Sequence, residues 1–155
     1  DVTTGKMIAM IDILGQRPRA MAFMPNGSRA YVTSEVSGTV SVVDIPNNRT
    51  LKLITMPEGC RPMGILVTPD GKRVYVTNGR GKTVSVIDPA TDSVTVSVEV
   101  GVRPWGLALT RDGSKLYTAN GPGNNVSVIN TATMTLSRTI PVGSVPWGVA
   151  IGPKP

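Results

Sequence analysis

A six-residue pattern, Gly-x-Arg-Pro-x-Gly, recurs along the chain and constrains its fold more than any other feature. Close copies occupy residues 15–20, 59–64, 101–106 and 143–148, so that successive copies begin 42 to 44 residues apart. The first copy ends in Ala20, and the fourth has Val145 in place of arginine. We call these four segments the hinges. A fixed period of about 40 residues is typical of repeat architectures, in which each repeat forms one supersecondary unit.

Each repeat contains four short runs with the alternation and residue types of β-strands. In the second repeat these runs are residues 65–67, 74–78, 83–88 and 94–98. Turn sequences separate them, such as Asn26-Gly27, a strong hairpin signal because both residues tolerate positive φ. Helical periodicity is absent from the sequence. Four antiparallel strands per repeat of this length predict the blade of a β-propeller, so we expect an all-β fold.

The repeats divide the chain into about three and a half four-stranded antiparallel blades. We expect residues 1–16 to supply the outer strand of a preceding blade, with the strand itself at 7–13. Residues 17–60, 61–102 and 103–144 then form complete blades, and residues 145–155 form the innermost strand of a further blade. The fourteen predicted strands fall short of the roughly 16 that a closed ring of four blades needs.

Three arrangements account for this shortfall. The chain is the C-terminal half of a longer, seven-bladed propeller, or another chain supplies the missing blades, or the blades form a free-standing open arc. We favour the first, because open blade edges are aggregation liabilities. The expected partner is therefore the remaining half of the propeller or another chain that completes the ring.

Composition excludes several kinds of partner and site. The formal net charge is +6, which favours anionic ligands, but the basic residues are spread through the repeats and do not indicate nucleic-acid binding. No apolar run approaches the roughly 18 residues of a membrane span. The sequence contains no histidine, which excludes histidine-based acid–base catalysis and histidine metal or haem ligation from this chain.

The middle of each repeat resembles a known family. Tyr75-Val76-Thr77-Asn78, with Arg-Pro-x-Gly before it and Thr-Val-Ser-Val-Ile-Asp after it, is similar to the repeat of YVTN-family β-propellers. Segments 31–34 and 117–120 are degenerate copies of it. The resemblance covers essentially the whole chain and implies an extracytoplasmic, periplasmic or cell-surface location. Relatives of this kind include seven-bladed proteins associated with catabolism of the quinone cofactor PQQ. We expect no cofactor in this portion, and an association with PQQ follows from the resemblance alone.

The hinges supply the first candidate ligand-binding residues. Arg17, Arg61 and Arg103 lie where one blade passes to the next, near one mouth of the axial channel, so their guanidinium groups would form an anion site there. Alternatively, each arginine bonds a neighbouring blade and fixes its spacing. Trp105 and Trp147 follow the hinge prolines. If they are exposed they would form a stacking surface, and if they lie between blades they only fill space in the core.

The loops beside the hinges supply two further candidates. Loops 34–38, 78–82 and 120–124 are expected on the same face, and the second adds positive charge through Arg80 and Lys82. No catalytic and no metal-ligating residues are predicted. Cys60 has no histidine to activate it, so we interpret it as a partly buried free thiol.

These observations favour a non-enzymatic binding or scaffold propeller that recognises an anionic small molecule or a protein through its hinge-and-loop face. The first alternative is an accessory or catalytic component of a periplasmic quinoprotein or redox pathway, with its key residues in missing blades. The second alternative is a structural surface-layer module.

Overall fold

The computed structural model describes residues 1–152 and confirms the all-β fold as part of a propeller. It contains three four-stranded antiparallel sheets, each with its strands in sequence order from the innermost to the outermost. The first sheet lies within residues 17–60, the second within 61–102 and the third within 103–144. The strands are β1 (Pro18–Phe23), β2 (Arg29–Ser34), β3 (Thr39–Asp44), β4 (Arg49–Thr55), β5 (Pro62–Val67), β6 (Val74–Asn78), β7 (Thr83–Asp88), β8 (Ser93–Glu99), β9 (Pro104–Leu109), β10 (Lys115–Asn120), β11 (Asn125–Asn130) and β12 (Thr135–Pro141).

Glycine closes the first hairpin of every sheet. Gly27, Gly71 and Gly113 have φ of 70°, 68° and 71°, a region that residues with a Cβ avoid. A side chain one residue earlier holds each turn: Asn26 Oδ1 accepts a hydrogen bond from the N–H of Ser28 at 3.1 Å. Asp70 and Asp112 do the same in the other sheets. The predicted hairpins are therefore present.

The core lies between successive sheets. The middle strands of the first two sheets are mostly buried, and valines of the first sheet such as Val40 and Val42 form one apolar cluster with Val74 and Val76 of the second. A second cluster joins the second and third sheets through Tyr75, Val84, Leu116 and Ile129. Each sheet therefore buries its faces against its neighbours, as propeller blades do.

The two flanking segments differ from the prediction, because residues 1–16 and 145–152 contain no strand. Within the described chain, neither segment has the further strands of its own blade with which to form a ladder. Ile11 and Ile13 nevertheless pack against the first sheet, as Ile54 and Met56 at its outer edge pack against the second. Their assignment to neighbouring blades stays a proposal. The end of the predicted strand 145–155 lies outside the described residues.

Threonine hydroxyls join the innermost strands of successive blades. Thr33 Oγ1 accepts a hydrogen bond from the N–H of Ala20 at 3.1 Å and donates one to the carbonyl of Met63 in the next blade at 2.6 Å. Thr77 repeats this arrangement with Gly64 at 2.8 Å and Trp105 at 2.7 Å. An irregularity in the β1–β2 and β5–β6 registers lies at this point of each innermost strand.

We expect Thr77→Val to lower the free energy of unfolding by about 1–3 kcal/mol, because the Gly64 N–H and the Trp105 carbonyl lose their shared partner. The matched control is Thr139→Val on the exposed outer strand β12, which should change it by less than about 0.5 kcal/mol. Urea unfolding measures both variants. Equal losses in both variants would show that the Thr77 hydroxyl between blades does not stabilise the fold more than an exposed hydroxyl does.

Candidate ligand-binding site at the blade axis

The residue before each hinge proline adopts a left-handed backbone conformation. Arg17, Arg61 and Arg103 have φ of 58°, 49° and 54°, and Val145 has 50°. This conformation is uncommon without glycine, and for a β-branched residue such as valine it is an outlier. All four hinges therefore share one backbone turn, whatever the side chain.

Hydrogen bonds from the neighbouring loop hold this turn. The Arg61 carbonyl accepts a hydrogen bond from the N–H of Gly79 at 2.9 Å, and the Arg103 carbonyl accepts one from Gly121 at 3.2 Å. In the first blade Glu35 donates in the same way to the Arg17 carbonyl at 3.0 Å. The chain then enters the innermost strand through the proline, which needs no donor of its own.

A cleft of about 380 Å³ lies where the innermost strands begin. Most of its side chains come from one position of the repeat, the residue directly after the hinge proline. The lining residues are Pro18, Arg19, Ala20, Met63, Gly64, Trp105, Gly106, Trp147 and Gly148. We call this the axial cleft. The structure brings Trp105 and Trp147 together in it, whereas Arg17, Arg61 and Arg103 are not among its lining residues.

The two tryptophans form a pair inside the cleft. Their ring centroids are 4.4 Å apart with an angle of 47° between the ring planes, and 65% of Trp147 is exposed. Trp105 rests on the backbone of Gly121, where a Cβ atom would lie only 2.3 Å from the ring. Arg103 lies 5.9 Å from the centre of the Trp105 ring, within the range of a cation–π contact. Its guanidinium thus supports the aromatic wall.

Two arginines and one glutamate lie together where the first sheet meets the axial cleft. Glu35 is 6% exposed, and its Oε2 lies 3.3 Å from Arg17 Nε and 3.5 Å from Arg19 Nε. These are ion-pair distances, although Oε2 accepts no hydrogen bond of good geometry from residues 1–152. Arg17 is therefore held by an acidic group beside its hinge. The Arg19 side chain is 25% exposed and reaches the cleft, which leaves the trio with one net positive charge.

The loop candidates lie against the second hinge. The N–H groups of Arg80 and Gly81 donate to the Cys60 carbonyl at 3.0 and 3.2 Å, so the loop and the hinge are bonded together. Arg80 and Lys82 are exposed, while Arg61 is partly buried. The loop therefore lies beside its hinge, as expected. Arg80 and Lys82 are outside the residues that line the axial cleft.

Cys60 is buried and is a poor nucleophile. Its exposed fraction is 2%, and burial raises the pKa of its thiol from 9.0 to about 11. Across residues 1–152, no three Cys, Asp or Glu side chains come together as metal ligands would. The same residues include no helix with the length and apolar character that crossing a membrane requires.

Sequence reasoning did not propose Arg19, Met63 or Glu35 as site residues. Arg19 and Met63 occupy the repeat position of Trp105 and Trp147, so the signal for them was the alignment of the hinges. Glu35 occupies the position of Gly79 and Gly121, directly after the Tyr-Val-Thr-Asn segment and its copies. An acidic residue where the other copies have glycine indicates a partner of opposite charge.

Comparison with known proteins supports this architecture. The family model described as "Lactonase, 7-bladed beta-propeller" matches residues 13–151. The chain belongs to this lactonase family of seven-bladed β-propellers. A search of the curated proteins found no match.

Solved structures give the same fold. Hydrazine synthase of Kuenenia stuttgartiensis superposes with a TM-score of 0.83 at 26% identity over 96% of this chain and 42% of that one. A 6-phosphogluconolactonase candidate from Bacteroides uniformis gives 0.69 at 24% identity over 83% and 41%. The U3-55K structure gives 0.76 at 16% identity over 87% and 42%, a similarity of fold alone. The chain thus spans about two fifths of the length of each of these three structures.

We expect Gly121→Ala to displace the Trp105 ring, because the new methyl group would lie within 3 Å of three ring atoms. The near-ultraviolet circular dichroism of the tryptophan pair should change, and the free energy of unfolding should fall by about 1–3 kcal/mol. Gly143→Ala is the matched control, since nothing lies within 4 Å of its Cβ position. An unchanged tryptophan spectrum in Gly121→Ala would contradict this packing.

We expect Cys60 to resist iodoacetamide in the folded protein at pH 8. The thiolate is the reactive form, and burial keeps the thiol protonated until the pH approaches its pKa of about 11. Unfolding in urea should restore ordinary reactivity at the same pH. Mass spectrometry measures the labelled fraction, and rapid labelling of the folded chain would show that Cys60 is accessible.

Proposed function

We propose that this chain provides part of a ligand-binding face of a propeller, and that its axial cleft binds an anionic small molecule. The observation that carries the proposal is the Trp105–Trp147 pair, which lines one cleft together with Arg19. The flat rings offer a stacking surface, and the arginine offers paired donors to a carboxylate, sulfonate or phosphate. The cleft volume of about 380 Å³ suits a small ligand.

The residues that this chain contributes favour binding over chemistry. The sequence contains no histidine, and the Cys60 thiol is buried and protonated near neutral pH. The buried carboxylate beside the cleft, Glu35, already lies between two arginines. We therefore propose a binding or scaffold role for this portion, in an extracytoplasmic propeller whose remaining blades come from elsewhere in the protein or from another chain.

Family membership defines the strongest alternative, a lactonase activity. The similarity to 6-phosphogluconolactonase candidates suggests a phosphorylated sugar acid as one ligand to test, because it is small and anionic. A role in a periplasmic quinoprotein or redox pathway has weaker support, from the 26% identity to hydrazine synthase. A protein partner at the hinge-and-loop face and a surface-layer role are further alternatives, and neither predicts that a small anion binds in the cleft.

Tryptophan fluorescence tests the proposal directly, because both tryptophans of the sequence line the axial cleft. We expect benzenesulfonate and 6-phosphogluconate to change the emission of the purified full chain in a saturable way. Trp147→Ala should weaken benzenesulfonate binding about three- to tenfold through lost stacking. Arg19→Gln should weaken both ligands about tenfold, because a charge-assisted hydrogen bond is lost.

Arg138→Gln is the matched control, since it removes the same charge on the exposed outer strand β12, outside the residues that line the axial cleft. Its affinities should equal those of the unaltered chain. No saturable emission change with either probe would refute binding in the cleft. Hydrolysis of 6-phosphogluconolactone above the spontaneous rate, lost in Arg19→Gln, would refute the non-enzymatic role and establish the lactonase alternative.

A further inference from the structure

The boundary between the first and second sheets is closed by an internal carboxylate. Asp92, in the turn before β8, lies 3.1 Å from Arg29 Nη1 through its Oδ2, and its Oδ1 accepts a hydrogen bond from the Tyr31 hydroxyl at 2.8 Å. Arg29 also donates through Nη2 to the carbonyl of Pro89 at 2.8 Å. An arginine and a tyrosine at the start of β2 thus bind one carboxylate from the next blade.

The boundary between the second and third sheets has the same arginine and tyrosine but lacks the carboxylate. Arg73 and Tyr75 occupy the positions of Arg29 and Tyr31, and Arg73 Nη1 donates to the Thr131 carbonyl at 2.7 Å. The residue before β12 is Met134, which has a φ of 51°, where Asp92 has 50°. The Tyr75 hydroxyl has no hydrogen-bond partner in the described part of the chain. This boundary therefore has two donors for an oxyanion that the chain does not supply.

An open cleft of about 370 Å³ gives access to these donors. Arg73 and Tyr75 both line it. Only 1% of Tyr75 is exposed. Two further cations, Lys72 and Arg111, belong to the same walls. The cleft thus contains the Tyr75 hydroxyl, held by packing, and the Arg73 guanidinium, held by the Thr131 carbonyl. Lys72 and Arg111 add positive charge to it.

Two carboxylates also line this cleft, but both are engaged in hairpin turns. Asp70 accepts a hydrogen bond from the Thr68 hydroxyl at 2.6 Å, and Asp112 accepts one from Thr110 at 2.6 Å. These bonds hold the pKa of Asp70 below its usual value and lower that of Asp112 to about 2. The lining then carries three cations and two carboxylates.

We propose that this cleft binds a carboxylate-bearing small molecule, whose oxygens lie between Arg73 and Tyr75 as those of Asp92 lie between Arg29 and Tyr31. The ligand would complete at the second boundary the contacts that the chain itself completes at the first. This site is distinct from the axial cleft, with which it shares no lining residue.

Thermal unfolding of the full chain in malonate, against sodium chloride of equal ionic strength, tests the proposal. A ligand of the folded state raises Tm, by about 3 °C or more at tenfold excess over Kd. Met134→Asp supplies an internal carboxylate and should abolish the malonate-dependent shift. Met134→Asn has the same shape without the charge and should retain it. Tyr75→Phe removes one donor and should at least halve the shift.

Malonate also stabilises proteins without binding them, so the differences between variants decide the outcome. A shift of equal size in the unaltered chain, Met134→Asp and Tyr75→Phe would overturn the proposal, as would no shift beyond that in chloride. Arg19→Gln, which removes the guanidinium that the axial cleft offers to anions, should keep the part of the shift that Met134→Asp abolishes. Failure of the axial-cleft proposal would therefore leave this result unaffected.

Discussion

One backbone hydrogen bond, from the loop after the second strand to the carbonyl before the hinge proline, underlies the geometry of every complete blade. It is made by Glu35, Gly79 and Gly121 in turn. The left-handed turn that exposes this carbonyl reverses the chain between blades, and the proline then starts the innermost strand. Because the strand begins at a fixed place, a threonine hydroxyl such as that of Thr77 can reach the carbonyl of the next blade. Blade spacing and cleft geometry follow from the same turn.

The loop residue that makes this bond also contacts the side chain that follows the hinge proline, so it limits which side chain fits there. Gly79 lets Met63 pack against its backbone, and Gly121 leaves room for the Trp105 ring. In the first blade the loop residue is Glu35, and the axial side chain is Arg19, its ion-pair partner. Loop and axial positions thus vary together, while the backbone between them stays the same. The character of the axial cleft depends on such pairs more than on single residues.

The sequence predicted the three sheets and their hairpins because each repeat carries its own turn signals and its own alternation. Of the hinge side chains that it proposed, Trp105 and Trp147 line the axial cleft, whereas Arg17, Arg61 and Arg103 do not. An arginine before proline is expected to be extended, and the left-handed turn observed at Arg17, Arg61 and Arg103 depends on a carbonyl bonded by a distant loop. Propensity also favours a strand at residues 7–13, but a strand needs a neighbour. Both differences arise from contacts that local sequence does not contain.

The two ends of a blade boundary carry different constraints. At the axis, hydrogen bonds within the chain join the innermost strands of successive blades. Thr33 and Thr77 mediate the first two. At the third boundary Ala119 replaces threonine, and the Gly106 N–H donates directly to the Trp147 carbonyl at 3.2 Å. At the other end closure varies, because Asp92 pairs with Arg29 whereas Met134 packs against the cluster around Tyr75. Removing one partner of a part-buried ion pair normally leaves an uncompensated charge. Arg73 avoids this cost because it is exposed and keeps a carbonyl acceptor. The second boundary therefore keeps its stability through apolar contacts, and its guanidinium stays available to solutes.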